Sequence, residues 1–201
     1  MISIEKQLVS RVYGNGRGWA FSKIDFVDIA NSSAIEKALS RLATKGTIRR
    51  VLWGIYDYPK FSKLLDQVLS PDVDQIAHAI ARKNGWEIDI SGNTALNLLG
   101  LSTQVPGRYV YLNDSRSKTY QLGKQELIFK KSRLKDIGFK YSQTALVVQA
   151  LRALGQDRLT KTQRKQIHKY FGTKVGAQIL RDARYTTTWI YEEIKKIFKA
   201  D

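Results

Sequence analysis

An α+β fold is what this sequence predicts, with a winged helix-turn-helix over residues 1–60 and a mixed α/β domain over 61–201 that turns helical from about residue 142. Three observations predict it. Apolar residues recur at helical spacing in three short segments before residue 46, a β-rich stretch follows at 47–58, and strand-like and helical patterns then share the rest of the chain.

Ile4, Leu8 and Val12 stand at four-residue intervals, so a first amphipathic helix is expected over 3–13, stopped by the run Gly14-Asn15-Gly16-Arg17-Gly18. Ser22 is placed to cap a second, short helix over 23–29, with Ile24, Val27 and Phe26 facing inward. Ser33 and Glu36 have the spacing of a capping box, so a third helix should begin there and end at Gly46. Its inner face would be Ile35, Ala38, Leu39 and Leu42, and its outer face Lys37, Ser40, Arg41 and Thr44. Thr47 to Tyr58 reads as a hairpin turning at Trp53-Gly54, closed by Pro59. Three helices and a hairpin are the parts of a winged helix, whose third helix enters the major groove.

Residues 60–69 read as a linker, and Ser70-Pro71 as a cap before a helix reaching about Asn84. A strand is expected over 86–90 and a short helix over 93–99. Three strands are expected over 108–112, 119–122 and 126–130, then helices over 143–154, 160–171, 174–184 and 188–199.

Charge sets the partner class. The chain has 34 Lys plus Arg against 18 Asp plus Glu, a formal +16 that attracts polyanions. Residues 1–60 hold ten basic and five acidic side chains, 61–130 eight and seven, and 131–201 sixteen and six, so the ends are basic and the middle neutral. Long apolar runs are missing and Met1 to Leu8 lacks a secretory apolar core, so a cytoplasmic protein without a membrane partner is expected. There is no cysteine and there are two histidines, His78 and His168, so no metal or cofactor is expected.

Duplex DNA is the expected partner of the N-terminal domain. Arg41, one turn from Lys37, is the expected base contact, because arginine forks onto guanine. Asn31, Ser32 and Ser33 lie at the helix start, where free amides, hydroxyls and the positive dipole end suit a phosphate. Arg49 and Arg50 on the hairpin are further candidates, although alternation sends them to opposite faces and leaves one for DNA. A secondary basic surface is expected from Lys161, Arg164, Lys165, Lys169 and Lys174, with Tyr170 nearby.

Enzyme readings find little. The glycine-rich loop at 14–18 lacks the ending of a phosphate-binding loop. Asp72 and Asp74 are spaced like the magnesium pair of a nucleotidyltransferase, yet in the first turn of a helix carboxylates are ordinary. No nucleophile pairs with His168. A non-enzyme is expected.

Two segments resemble a known family. Residues 42–56, LATKGTIRRVLWGIY, and residues 90–106, ISGNTALNLLGLSTQVP, together look like the AbiEi-type antitoxins of type IV toxin-antitoxin systems. The resemblance implies a winged helix that binds promoter inverted repeats to repress its operon, and a larger domain that counters a nucleotidyltransferase-like toxin without a stable complex. It implies DNA-binding roles for the third helix, Arg49 and Arg50, and no catalytic residues. Where a basic residue often precedes Gly-Ile-Tyr in that family, this chain has Trp53. Paired operator sites would seat two copies one helical turn apart, ~34 Å, and the chain is expected to be a monomer or a DNA-induced dimer. The alternative is a stand-alone winged-helix regulator or an RNA-binding module with no toxin partner.

Overall fold

A computed structural model describes residues 3–102, 107–131 and 139–199. The chain is α+β and divides into two compact units, 1–86 and 87–201.

The first unit opens with helix α1 (Ile4–Asn15), whose Leu8 and Val12 are fully buried as the four-residue spacing requires. Strand β1 (Ala20–Phe21) follows, too short to show alternation. A 3-10 turn over Lys23–Phe26 replaces the expected helix at 23–29. Ser22 caps it, and Asp25 answers by accepting from the Ser22 amide at 2.8 Å. Only Phe26 turns inward; Ile24 and Val27 are exposed, because one tight turn can send one side chain to the core.

Helix α2 (Ser32–Thr44) buries Ile35, Ala38, Leu39 and Leu42, the expected inner face. Its cap is Asn31, whose Oδ1 accepts from the Ala34 amide at 2.9 Å, not Ser33, which already lies inside the helix. Strands β2 (Arg49–Leu52) and β3 (Ile55–Asp57) form the hairpin, and β1 pairs with β3 to give an antiparallel sheet in the order β1-β3-β2. Helix, strand, turn, helix and hairpin are the order of a winged helix, with β2–β3 as the wing. Its core is Leu8, Val12, Phe21, Phe26, Ile35, Leu39, Leu42 and Ile48.

The expected linker at 60–69 is a small hairpin, β4 (Phe61–Ser62) against β5 (Gln67–Val68). Helix α3 (Val73–Asn84) is capped by Asp72, which accepts from the Asp74 and Gln75 amides at 3.1 and 3.3 Å, so Ser70 is not the cap. The first unit extends to Trp86 rather than ending near residue 60, because α3 is bound into it. Arg82 donates to Asp25 at 2.7 Å and to the Ala20 carbonyl at 2.8 Å, and Ile76, Ala77 and Ile80 are buried.

The second unit holds β6 (Ile88–Ile90), α4 (Gly92–Leu98), β7 (Arg108–Asn113), β8 (Lys118–Leu122) and β9 (Gln125–Lys131). The sheet order is β6-β7-β9-β8, with β7 and β9 parallel and both outer pairs antiparallel. Buried Asn113 holds the turn after β7, donating to the Arg116 carbonyl at 3.0 Å and accepting from the Ser115 amide at 2.8 Å. Helices α5 (Ser142–Leu154), α6 (Lys161–Asp182) and α7 (Thr188–Phe198) end the chain. The two helices expected at 160–171 and 174–184 run together as α6, interrupted at Gly172, where φ is 69° and a side chain would be strained. Among the described residues no helix is long and apolar enough to cross a membrane.

Candidate nucleic-acid interface

The face of the first unit that could meet a ligand is built from α2 and the wing. With Ile35, Ala38, Leu39 and Leu42 committed to the core, helical geometry turns Ser33, Lys37, Ser40, Arg41 and Thr44 outward. Asn31, Ser32 and Ser33 are exposed at the start of the helix, but Asn31 spends its side-chain oxygen on the cap.

The two sides of this helix differ. On one edge Arg41 and Lys45 share the carboxylate of Glu5 from α1, at 3.2 and 2.9 Å. Hydrogen bonds from Lys45 and then Arg41 hold the Glu5 carboxyl below the usual carboxylate range. Arg41 nevertheless keeps 65% of its side chain in solvent, so it is tethered rather than hidden. On the other edge an open groove of about 390 Å³ separates α2 from the wing, lined by Lys37, Leu39, Ser40, Arg50, Trp53 and Tyr56 together with Lys23, Glu36, Gly54 and Lys83. Lys23 is neutralised by Glu36, whose carboxyl it lowers. Lys37 is exposed and makes no ion pair among the described residues.

Neighbouring arginines of the wing take opposite roles. Arg49 grips Asp57 with two hydrogen bonds of 3.0 and 2.5 Å and gives a third, 3.0 Å, to the Leu69 carbonyl. Asp57 is buried, so this pair is structural and takes Arg49 out of the candidate face. Arg50 points to the groove. It donates to Ser40 Oγ at 3.4 Å and to the Tyr56 hydroxyl at 3.2 Å, and lies over the rings of both Tyr56 and Trp53, at 5.4 and 5.6 Å.

The chain belongs to DUF6088, a family of unknown function. The match spans residues 7–178, reaching from α1 into α6. No curated protein matches it.

In the second unit Lys161, Lys165 and Lys169 of α6 are exposed at intervals of four residues, and Lys174, beyond Gly172, is exposed too. Arg164 is not among them, since it donates to Glu193 at 3.0 and 2.8 Å. Burial opposes ionisation of Glu193, yet hydrogen bonds from Lys196 and Arg164 prevail and lower its pKa. Among the described residues no three His, Cys, Asp or Glu side chains gather as a metal would need. Asp72 is occupied as a helix cap, and Asp74 faces His78 at 3.7 Å.

Sequence reasoning missed Lys83. It lies in a segment assigned to the other domain, and the long-range ties of Arg82 to Asp25 and the Ala20 carbonyl, with its own bond to the Trp53 carbonyl, show where it belongs. The seven residues 132–138 and the end of the second resembling segment, 103–106, lie outside the described residues.

Proposed function

We propose that this chain is a DNA-binding antitoxin: it docks α2 in a major groove, sets the wing alongside, and represses its own operon from the cytoplasm. One observation carries the DNA reading. The outward side of α2 offers Ser33, Lys37, Ser40 and Arg41, and Arg50 joins that helix to the wing, so a polar, cationic face is fixed over a buried apolar one. In this reading Lys37 and Arg41 reach base edges or phosphates, while Ser32, Ser33 and the first amides of α2 hold a phosphate. Glu5 holds Arg41 ready and gives it up to a stronger anion.

The resemblance of residues 42–56 and 90–106 to AbiEi-type antitoxins supplies the biological setting: paired operator sites, a nucleotidyltransferase-like toxin, and neutralisation without a stable complex. The family match names no activity, so the toxin half rests on the resemblance alone. The lysines of α6 favour a second reading, a nucleic-acid module with no toxin, in which RNA is the ligand.

Binding of the whole chain to a duplex selected from a randomised pool tests the first reading, with Arg41→Ala expected to cost about 1–3 kcal/mol on that duplex and little on unrelated DNA. Equal loss on both would make Arg41 a phosphate contact, and failure to enrich any duplex would reject DNA reading by α2. RNA competing better than the selected duplex would favour the second reading. Rescue of growth against a neighbouring nucleotidyltransferase-like protein tests the toxin half.

A further inference from the structure

We infer that Trp53 is an apolar wedge that packs on the sugars and base edges of a DNA minor groove beside the site reached by α2. The inference rests on duplex DNA being the ligand of this face, and specifies what the wing does there.

Trp53 sits at the turn between β2 and β3 with 86% of its surface exposed. Tryptophan is normally among the well-covered side chains, so a bare indole at a loop tip gives up hydrophobic stabilisation that a partner would return. Its setting is held from two sides. The Arg50 guanidinium lies over the rings of both Trp53 and Tyr56, 5.6 and 5.4 Å from their centres, and is tied to α2 through Ser40. The Trp53 carbonyl accepts from Lys83 Nζ at 3.0 Å. Gly54 has φ +70°, a backbone conformation that favours glycine and fixes the turn that carries Trp53. A wedge must be fixed before it meets its ligand, or ordering it would consume the binding energy.

The surroundings select the ligand. An apolar protein partner covering Trp53 would also strip water from Lys37 and Arg50 along the same groove and offer those cations no anion in return. Nucleic acid presents apolar sugar faces between rows of phosphates, which suits an indole flanked by cations. An uncharged ring releases no counterions, so it reads shape rather than charge, and favours steps that open easily, pyrimidine–purine steps above stiff A-tracts.

The test uses the whole chain and a duplex recovered by selection from a randomised pool, with 2-aminopurine at the flanking step. Trp53→Ala is expected to weaken binding about tenfold. The slope of log affinity against log salt should stay unchanged, and the preference for a pyrimidine–purine flank should disappear. Trp53→Phe should restore most of both, and 2-aminopurine fluorescence should rise with the native chain and stay flat with Trp53→Ala. Trp53→Ala should melt like the native chain, so that a loss of binding is not a loss of fold. Unchanged affinity and flank preference in Trp53→Ala, or a shallower salt slope, would overturn the inference. If Lys37→Ala weakens binding while Trp53→Ala does not, the wedge alone is rejected. If no duplex is enriched, the DNA reading itself is rejected.

Discussion

The two compact units carry positive charge in different ways. Residues 131–201 hold sixteen basic and six acidic side chains against ten and five in residues 1–60, so a count of charge points to the end of the chain. On α6, however, Lys161, Lys165 and Lys169 stand exposed on one helix and reach no partner among the described residues. Around the α2 groove the cations come from several elements, and Arg50 and Lys83 are aimed by Ser40, Tyr56 and the Trp53 carbonyl. Total charge governs attraction to any polyanion, whereas recognition needs charge held at fixed positions. If duplex DNA is the ligand, as proposed, the comparison places specificity in the unit with less charge.

The largest effect tests whether the first unit is the frame. Phe21, on β1, is fully buried against Trp19, Phe26 and Tyr56, so Phe21→Ala should cost about 3–5 kcal/mol in denaturant unfolding. Next come the adjacent arginines. Arg49→Ala strands the buried Asp57 carboxylate and should cost roughly 3 kcal/mol of stability, at the low end for a broken buried pair because Arg49 is 30% exposed. Arg50→Ala should leave the melting curve nearly unmoved and weaken duplex binding instead. If both variants change the same property, the division of labour along β2 is wrong.

A smaller effect separates the units directly. Lys37→Ala should reduce the salt slope of duplex binding by about 1 if it touches a phosphate. Replacing Lys161, Lys165 and Lys169 together by Gln should lower affinity for unrelated DNA and spare the ratio of specific to non-specific binding. The smallest concerns acid. The Arg11 guanidinium holds the Asp28 carboxyl down to about 2, against roughly 3.9 in an unfolded chain. A depressed carboxyl contributes stability above its unfolded pKa and loses it as pH falls through the folded one. Asp28→Asn should therefore flatten the pH dependence of Tm between about 4 and 2.

Much of this was legible because burial imposes a period. Ile35, Ala38, Leu39 and Leu42 could face one way only in a helix, and the residue types around Trp53-Gly54 suit a hairpin. What the sequence hid was long-range or very short. Strand β1 has two residues and no alternation to show. Ser32 and Ser33 offered competing cap acceptors beside Asn31, and which of them ends outside the helix depends on how the core seats Ile35. The β4–β5 hairpin has no glycine at its turn, where Asp66 takes a positive φ of 47°. The unit boundary depends on Arg82 meeting Asp25 and the Ala20 carbonyl across more than fifty residues, and no local pattern records that contact. Among the site residues, alternation foresaw that Arg49 and Arg50 would part, but the buried Asp57 decided which one faced the groove.

The claim that the α2–wing face reads DNA is tested most directly by fluorescence anisotropy of the whole chain on its selected duplex and on unrelated duplex across a salt series. The native chain, a Lys37→Ala, Arg50→Ala double variant and the triple α6 variant are compared. The account predicts that the double variant loses most of the specific-to-non-specific ratio while the α6 variant keeps it. A double variant that retains the ratio, or an α6 variant that loses it, would contradict the account.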